Sequence, residues 1–198
     1  MSGYYQEGHR LIYLHGFRSS PKSFKAQRLA ERMRELGCSA SFCCPQLPAS
    51  PLEAVALVRR ALRPEVSDTL VGSSLGGFYA TWLAERLGCR AVVINPAVYP
   101  ARDLRSQVGA QTMYHDDTPF EFLPAHVDEL LSLQVSAITF ARRYLLVAAT
   151  GDELLDWREM VAHYRGAKQI VVQGGDHGLS DFEQYVDEVL SFAGLLRA

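Results

Sequence analysis

A chain of 198 residues, 48% of them hydrophobic and 21% charged, is sized for one domain with one sizeable core, and it excludes the disordered and fibrous classes. Its formal net charge of -2 is built from scattered acids and bases, with no basic arm or acidic tail. Nothing in that balance favours nucleic acid or an anionic membrane, so the expected partner is a small molecule.

The amino-terminal stretch MSGYYQEGHR has no long apolar core of a secretory signal. No run approaches the roughly 18–20 consecutive apolar residues that a membrane-spanning helix needs. A cytoplasmic location is therefore expected. RLIYLHG (10–16) reads as a strand, and KSFKAQRLAERMRELG (22–37) as an amphipathic helix stopped by glycine. SASFCCP (39–45) is a short strand ended by proline, and SPLEAVALVRRALRPE (50–65) opens as a helix with serine and proline. Cys43 and Cys44 lack the C-x-x-C spacing of redox or zinc sites. Cys38 and Cys89 follow Leu-Gly at helix ends, and buried reduced thiols are expected for all four.

DTLVGS (68–73) and RAVVINP (90–96) are strands flanking a helix over 74–88. Strands at 142–150 and 168–175 alternate with helices at 154–166 and 179–196. Most strands are continuous apolar runs, the pattern of strands buried on both faces. The fold class is therefore α/β, with a mainly parallel sheet of about six strands and helices on both faces. Between Pro96 and Arg142 the chain spends more residues than one crossover needs. A helix at 124–135 uses some of them, and 99–122 is extra. The whole chain, 1–198, is expected to be one domain, with about 99–135 inserted as a small cap over the site.

Gly72-Ser73-Ser74-Leu75-Gly76 stands at the carboxyl end of a strand and opens a helix. G-x-S-x-G in that context is a tight turn that presents the central serine, Ser74, at the top of the sheet. The plain structural alternative is a glycine-containing turn with serine as helix N-cap. A serine hydroxyl needs a base. Of six histidines, His177 in QGGDHGLSDF follows the last strand and opens on the same face. His9 falls in a mobile terminus, His126 and His163 on helix surfaces, and His115 in the cap. His15 is expected to be a buried structural residue. The base needs a carboxylate to fix its tautomer, and Asp152 in ATGDELLDW directly follows a strand. Glu153, Asp156 and Asp176 compete with it. Leu75 N–H and, from the early loop YLHGFRSSP, Phe17 N–H are placed to hold an oxyanion. The order Ser74, Asp152, His177 is the one expected for an α/β-hydrolase.

LIYLHGFRSSPKSFKA, VGSSLGGFYATWLAERLGCRAVVINPAV, TGDELLDWREM and GGDHGLSDFEQYVDEVLSF together resemble the YqiA-type family of small bacterial esterases, from about Leu11 to Phe192. The resemblance implies an α/β-hydrolase fold and esterase activity on acyl esters, including acyl-CoA thioesters. It also implies Ser74, Asp152 and His177 as triad, with Phe17 and Leu75 as oxyanion-hole positions. Arg18 follows HGF where a smaller polar residue is commoner, and is expected to bear on substrate choice. Tyr99, Phe120 and Phe122 are expected to line an apolar acyl pocket in the cap. The expected activity is serine esterase through an acyl-enzyme, with no metal and no organic cofactor. The alternatives are an acyl-CoA thioesterase with the same triad, or a binding protein on the same fold with weak turnover.

Overall fold

The structure, a computed structural model, describes residues 9–196. All but the last two residues of the amino-terminal stretch inspected for a leader lie outside them. No helix among the described residues is long and apolar enough to cross a membrane. Six parallel strands form the central sheet: β1 (Leu11–Leu14), β2 (Phe42–Cys43), β3 (Thr69–Ser73), β4 (Arg90–Ile94), β7 (Tyr144–Ala149) and β8 (Lys168–Val172). Their order across the sheet is β2-β1-β3-β4-β7-β8, so β3 is central.

Alternation along each strand feeds two apolar layers. Leu11, Tyr13, Val71, Val92 and Val147 pack with Leu29 and Met33 of α1 (Phe24–Glu35) and Leu190 of α7 (Val186–Phe192). Ile12, Leu14, Leu70, Val93 and Leu146 pack on the opposite face, against α2 (Pro51–Leu57), α3 (Leu75–Leu87) and α6 (Trp157–His163). Both faces being buried explains why the strands read as unbroken apolar runs. At the lower end, the buried Asp68 carboxylate takes Arg10 Nε and Nη2 at 3.1 and 2.5 Å.

Several elements are shorter than their sequence periodicity suggests. The stretch expected as a strand over 39–45 pairs only at Phe42 and Cys43, after a 3-10 turn. The helix expected over 154–166 begins at Trp157, because Leu154 and Leu155 turn their amides to a side chain described below. The last helix starts as a 3-10 turn over Phe182–Tyr185. Between β4 and β7 come α4 (Pro100–Asp103), an antiparallel hairpin of β5 (Gly109–Thr112) and β6 (Pro119–Phe122), and α5 (Pro124–Ser132). The four cysteines are free; Cys38 and Cys89 are buried, whereas Cys43 and Cys44 are only partly so. Burial pushes the Cys44 thiol up to about 12.

The turn from β3 into α3 depends on absent side chains. A Cβ on Gly76 would lie 1.9 Å from the Leu14 carbonyl oxygen, and one on Gly72 2.1 Å from that of Gly76. Both obstacles are backbone atoms of buried elements, which cannot swing aside. Gly76→Ala is therefore expected to cost more than about 3 kcal/mol or prevent folding, read as a lost or sharply lowered denaturation midpoint. Gly37→Ala serves as the comparison: with nothing within 4 Å and φ of +73°, it should cost only about 1 kcal/mol.

Candidate active site

Ser74 follows the last residue of β3 and is the N-cap of α3, with φ 55° and ψ -123°. That conformation is costly for a residue with a side chain, about 1–3 kcal/mol, and persists only where the surroundings impose it. Here the Ser74 amide donates to the Ile94 carbonyl at 3.0 Å, and the Ser74 carbonyl accepts from Gly77 and Ala97 amides at 2.9 and 3.1 Å. The side chain is held out over the carboxyl ends of the strands.

His177 comes from the loop after β8, and Asp152 from the turn after β7. His177 Nδ1 lies 2.8 Å from Asp152 Oδ2, and Nε2 lies 3.0 Å from Ser74 Oγ. A carboxylate can only accept, so Nδ1 carries the proton and Nε2 is left to accept from the serine hydroxyl. The Asp152 side chain is fully buried, and its other oxygen accepts the Leu154 and Leu155 amides, each at 2.9 Å. These two bonds use the residues that would otherwise begin α6 one turn earlier.

The competing acids are otherwise occupied. Asp156 caps α6, accepting from the Arg158 amide at 2.9 Å. Asp176 binds the amide and hydroxyl of Ser180, which hold its carboxyl below the usual range. Glu153 takes the His177 backbone amide at 2.9 Å, so it holds the loop rather than the ring. On the far side, Asn95 is fully buried with φ 41°, and its Nδ2 donates to the carbonyls of both Asp176 and His177 at 3.0 Å. Its Oδ1 accepts the Ala149 amide at 2.8 Å, so one amide ties β4, β7 and the His177 loop together. Sequence reasoning passed over Asn95; an amide closing the apolar run VVIN at a strand's carboxyl end was the available signal.

Ser74 and His177 face a cavity of about 510 Å³ that Phe17, Leu75 and Arg18 also line. His15 is buried beneath this loop, with Nδ1 donating to the Gly16 carbonyl and Nε2 accepting the Leu47 amide, both at 3.0 Å. Because the Leu47 amide can only donate, the ring is neutral, and burial depresses its pKa. Arg18 has φ 58° and clasps the hairpin: Nε donates to the Thr112 carbonyl at 2.7 Å and Nη2 to the Thr112 hydroxyl at 3.2 Å. Its guanidinium stacks 4.4 Å from the Tyr114 ring, and its carbonyl accepts the Tyr114 amide at 2.8 Å.

The remaining expected pocket residues divide. Phe120 lines an adjoining chamber of about 220 Å³, together with Leu47, Pro48, Tyr79 and Met113. Phe122, expected in the pocket wall, is fully buried behind Phe17, their rings 5.1 Å apart and edge to face. Tyr99 lies outside both chambers' walls, exposed beneath the Arg102 guanidinium. Among the histidines, His115 is exposed and His163 half-buried. His126 is buried rather than on the surface, because its Nδ1 accepts the Leu123 amide at 3.1 Å and so caps α5. His9, expected in a mobile terminus, is partly buried near Gly194. Among the described residues no group of three or more His, Cys, Asp or Glu side chains is arranged to hold a metal ion.

The fold recurs in solved structures of low sequence identity. A candidate hydrolase from Agrobacterium vitis S4 superposes with a TM-score of 0.74 at 19% identity, over 93% of this chain and 88% of that one. Mouse alpha/beta hydrolase domain-containing protein 10 gives 0.69 at 16% identity, over 95% and 91%. Est1E of Butyrivibrio proteoclasticus, with ferulic acid bound, gives 0.61 at 15% identity, over 91% and 87%. These likenesses establish the α/β-hydrolase fold. A family model matches residues 10–194, from just before β1 to just past α7, and the chain belongs to that family, the uncharacterised protein family UPF0227, which is the YqiA-like family.

Proposed function

We propose that this protein is a serine esterase that hydrolyses carboxylic esters through an acyl-enzyme. The observation that carries the reading is the unbroken chain from Ser74 Oγ through His177 to Asp152, 3.0 and 2.8 Å long, set at three strand ends. In this reading Ser74 Oγ attacks the ester carbonyl while its proton passes to His177 Nε2. Asp152 holds the ring orientation and stabilises the imidazolium. The Phe17 and Leu75 amides receive the oxyanion. His177 then returns the proton to the departing alcohol, and the same base activates the water that releases the acid.

Residues 99–135 act as a cap on the same domain. Support comes from Leu104, Gln107 and Tyr114 of that segment, which line the cavity holding Ser74. The adjoining chamber walled by Tyr79, Met113 and Phe120 is the acyl pocket, reached past Phe17 and Leu75, which line both chambers.

Three outcomes test the reading. Ser74→Ala should lose both 4-nitrophenyl ester hydrolysis and covalent labelling by a fluorophosphonate, while Ser73→Ala keeps labelling; label on a different serine would overturn the assignment. Asp152→Asn should fold normally yet lower kcat by roughly 10³–10⁴, far more than Asp156→Asn or Asp176→Asn. Phe120→Ala should move the preferred acyl chain to longer members of a 4-nitrophenyl series, each newly buried methylene adding up to about 0.8 kcal/mol. An unchanged chain-length profile would remove Phe120 from the acyl pocket.

Asn95 supplies a further expected outcome. Asn95→Asp keeps a side chain that tolerates positive φ, but sets a carboxylate oxygen against two carbonyls. Loss of two donors to the His177 loop should lower kcat at least about tenfold with a smaller change in KM. Steady-state kinetics on one ester, beside a denaturation curve, separates that effect from unfolding.

A further inference from the structure

The cavity at Ser74 contains a cation that the proposed chemistry does not use. Lys25, in the first turn of α1, lines the wall together with Tyr13, Ser23 and Gly178. Its ammonium has three N–H donors, and its recorded hydrogen bond goes to the Gly178 carbonyl, a neutral acceptor. No carboxylate among the described residues forms an ion pair with it. The two acids that face it are already engaged: Asp152 by His177 and two amides, Asp176 by Ser180.

The other groups around it add no compensating charge. Tyr13 is fully buried, its hydroxyl pKa pushed up by that burial. The Ser23 hydroxyl is buried without a well-formed hydrogen bond among the described residues. Arg18, the second cation of the cavity, donates to the neutral oxygens of Thr112 and stacks on Tyr114, with no ion pair among the described residues. The one acid that lines the wall, Asp103, is on the inserted segment; Arg102 binds its Oδ1 at 2.7 Å, its Oδ2 is buried without a hydrogen bond among the described residues, and Lys25 draws its attraction from Asp176 and Asp152 instead. Desolvation outweighs the attraction of Asp152 and Asp176, and holds the Lys25 ammonium down to about 8. The charge is therefore short of a counter-ion within the site.

Position says which part of a substrate would supply it. Gly178, which Lys25 holds, directly follows His177, and His177 is the group that protonates the leaving oxygen. The alcohol portion of a bound ester thus lies on the Lys25 side, with the acyl portion toward the apolar chamber at Phe120. We propose that Lys25 recognises a carboxylate carried on the alcohol portion, so that the substrates are anionic esters with an apolar acyl group. The inference rests on the serine-esterase reading of the same site. An ammonium with free donors in a partly desolvated wall forms a charge-assisted hydrogen bond with such a group, about twice as strong as a neutral one.

The test compares kcat/KM for 4-acetoxybenzoate with that for 4-acetoxybenzamide, the same ester without the charge. The ratio should favour the anion, fall at least about tenfold in Lys25→Met and survive in Lys25→Arg. In the unaltered protein it should also fall between about pH 7 and about pH 9, as Lys25 loses its proton and the attraction with it. Equal losses on both substrates in Lys25→Met would overturn the proposal and leave Lys25 only a holder of the His177 loop. A Lys25-dependent preference for mono-4-nitrophenyl glutarate over 4-nitrophenyl butyrate, without one for 4-acetoxybenzoate, would overturn the placement on the alcohol side. If Ser74 is labelled by a fluorophosphonate and both acetates turn over at a ratio that Lys25→Met leaves alone, this inference fails by itself. If there is neither label nor turnover, the esterase reading fails and this one with it.

Discussion

The backbone of α3's first turn lies against the backbone of β1, and the rest of the site is arranged around that approach. A Cβ on Gly76 would overlap the Leu14 carbonyl, and one on Gly72 would overlap Gly76 itself. With both side chains missing, the chain can reverse within a few residues and leave Ser74 at φ 55°. Close approach also brings the Gly16 loop to the serine, since a Cβ on Gly16 would be 3.1 Å from Ser74 Cβ. The distance between Ser74 and the Gly16 loop is thus set by main chain, which has little freedom to drift.

The histidine loop also meets its neighbour backbone to backbone, since a Cβ on Gly151 would be 2.4 Å from the Gly175 carbonyl oxygen, and side chains secure it further. Asn95 holds two of its carbonyls, Glu153 its His177 amide, and Lys25 the Gly178 carbonyl. Each comes from a different element, so the loop is fixed from three directions. Asn95 has the strongest claim as the organiser, because its fully buried amide uses both ends and satisfies the Ala149 amide as well. Buried polar groups of this kind stabilise one geometry well because every alternative leaves a donor or acceptor unmatched.

Much of this was legible in the sequence because it is carried by short-range chemistry. Apolar runs with no polar alternation gave a parallel sheet buried on both faces, and the family resemblance agrees with the family match. G-x-S-x-G between a strand and a helix, and acid and histidine after later strands, point to three side chains that lie within hydrogen-bond distance of one another at the strand ends. What escaped reading depends on partners distant in sequence. Lys25 meets Gly178 across 153 residues, and Arg18 meets Thr112 across 94. The hairpin at 109–122 was hidden because its four-residue strands carry little periodicity and only Phe122 on them is buried. Phe122 looked like a pocket residue on composition alone; its position under Phe17 follows from the strand's alternation, which turns Phe120 and Phe122 toward the core side while Glu121 faces out.

In the proposed esterase reaction, the clasp between Arg18 and the hairpin would tie an entrance to a chemical step. Thr112 and Tyr114 are joined to Arg18 by three hydrogen bonds and a stacked guanidinium, and Arg18 is the neighbour of Phe17, whose amide is the proposed oxyanion donor. A bulky molecule that wedges the hairpin aside would drag the neighbouring peptide away from its alignment with the carbonyl. Such a molecule would still be admitted and held, yet sit in front of a disassembled oxyanion hole. Size discrimination would then be exercised as slow turnover of bound misfits, so that oversized esters behave as inhibitors of the reaction they fail to complete.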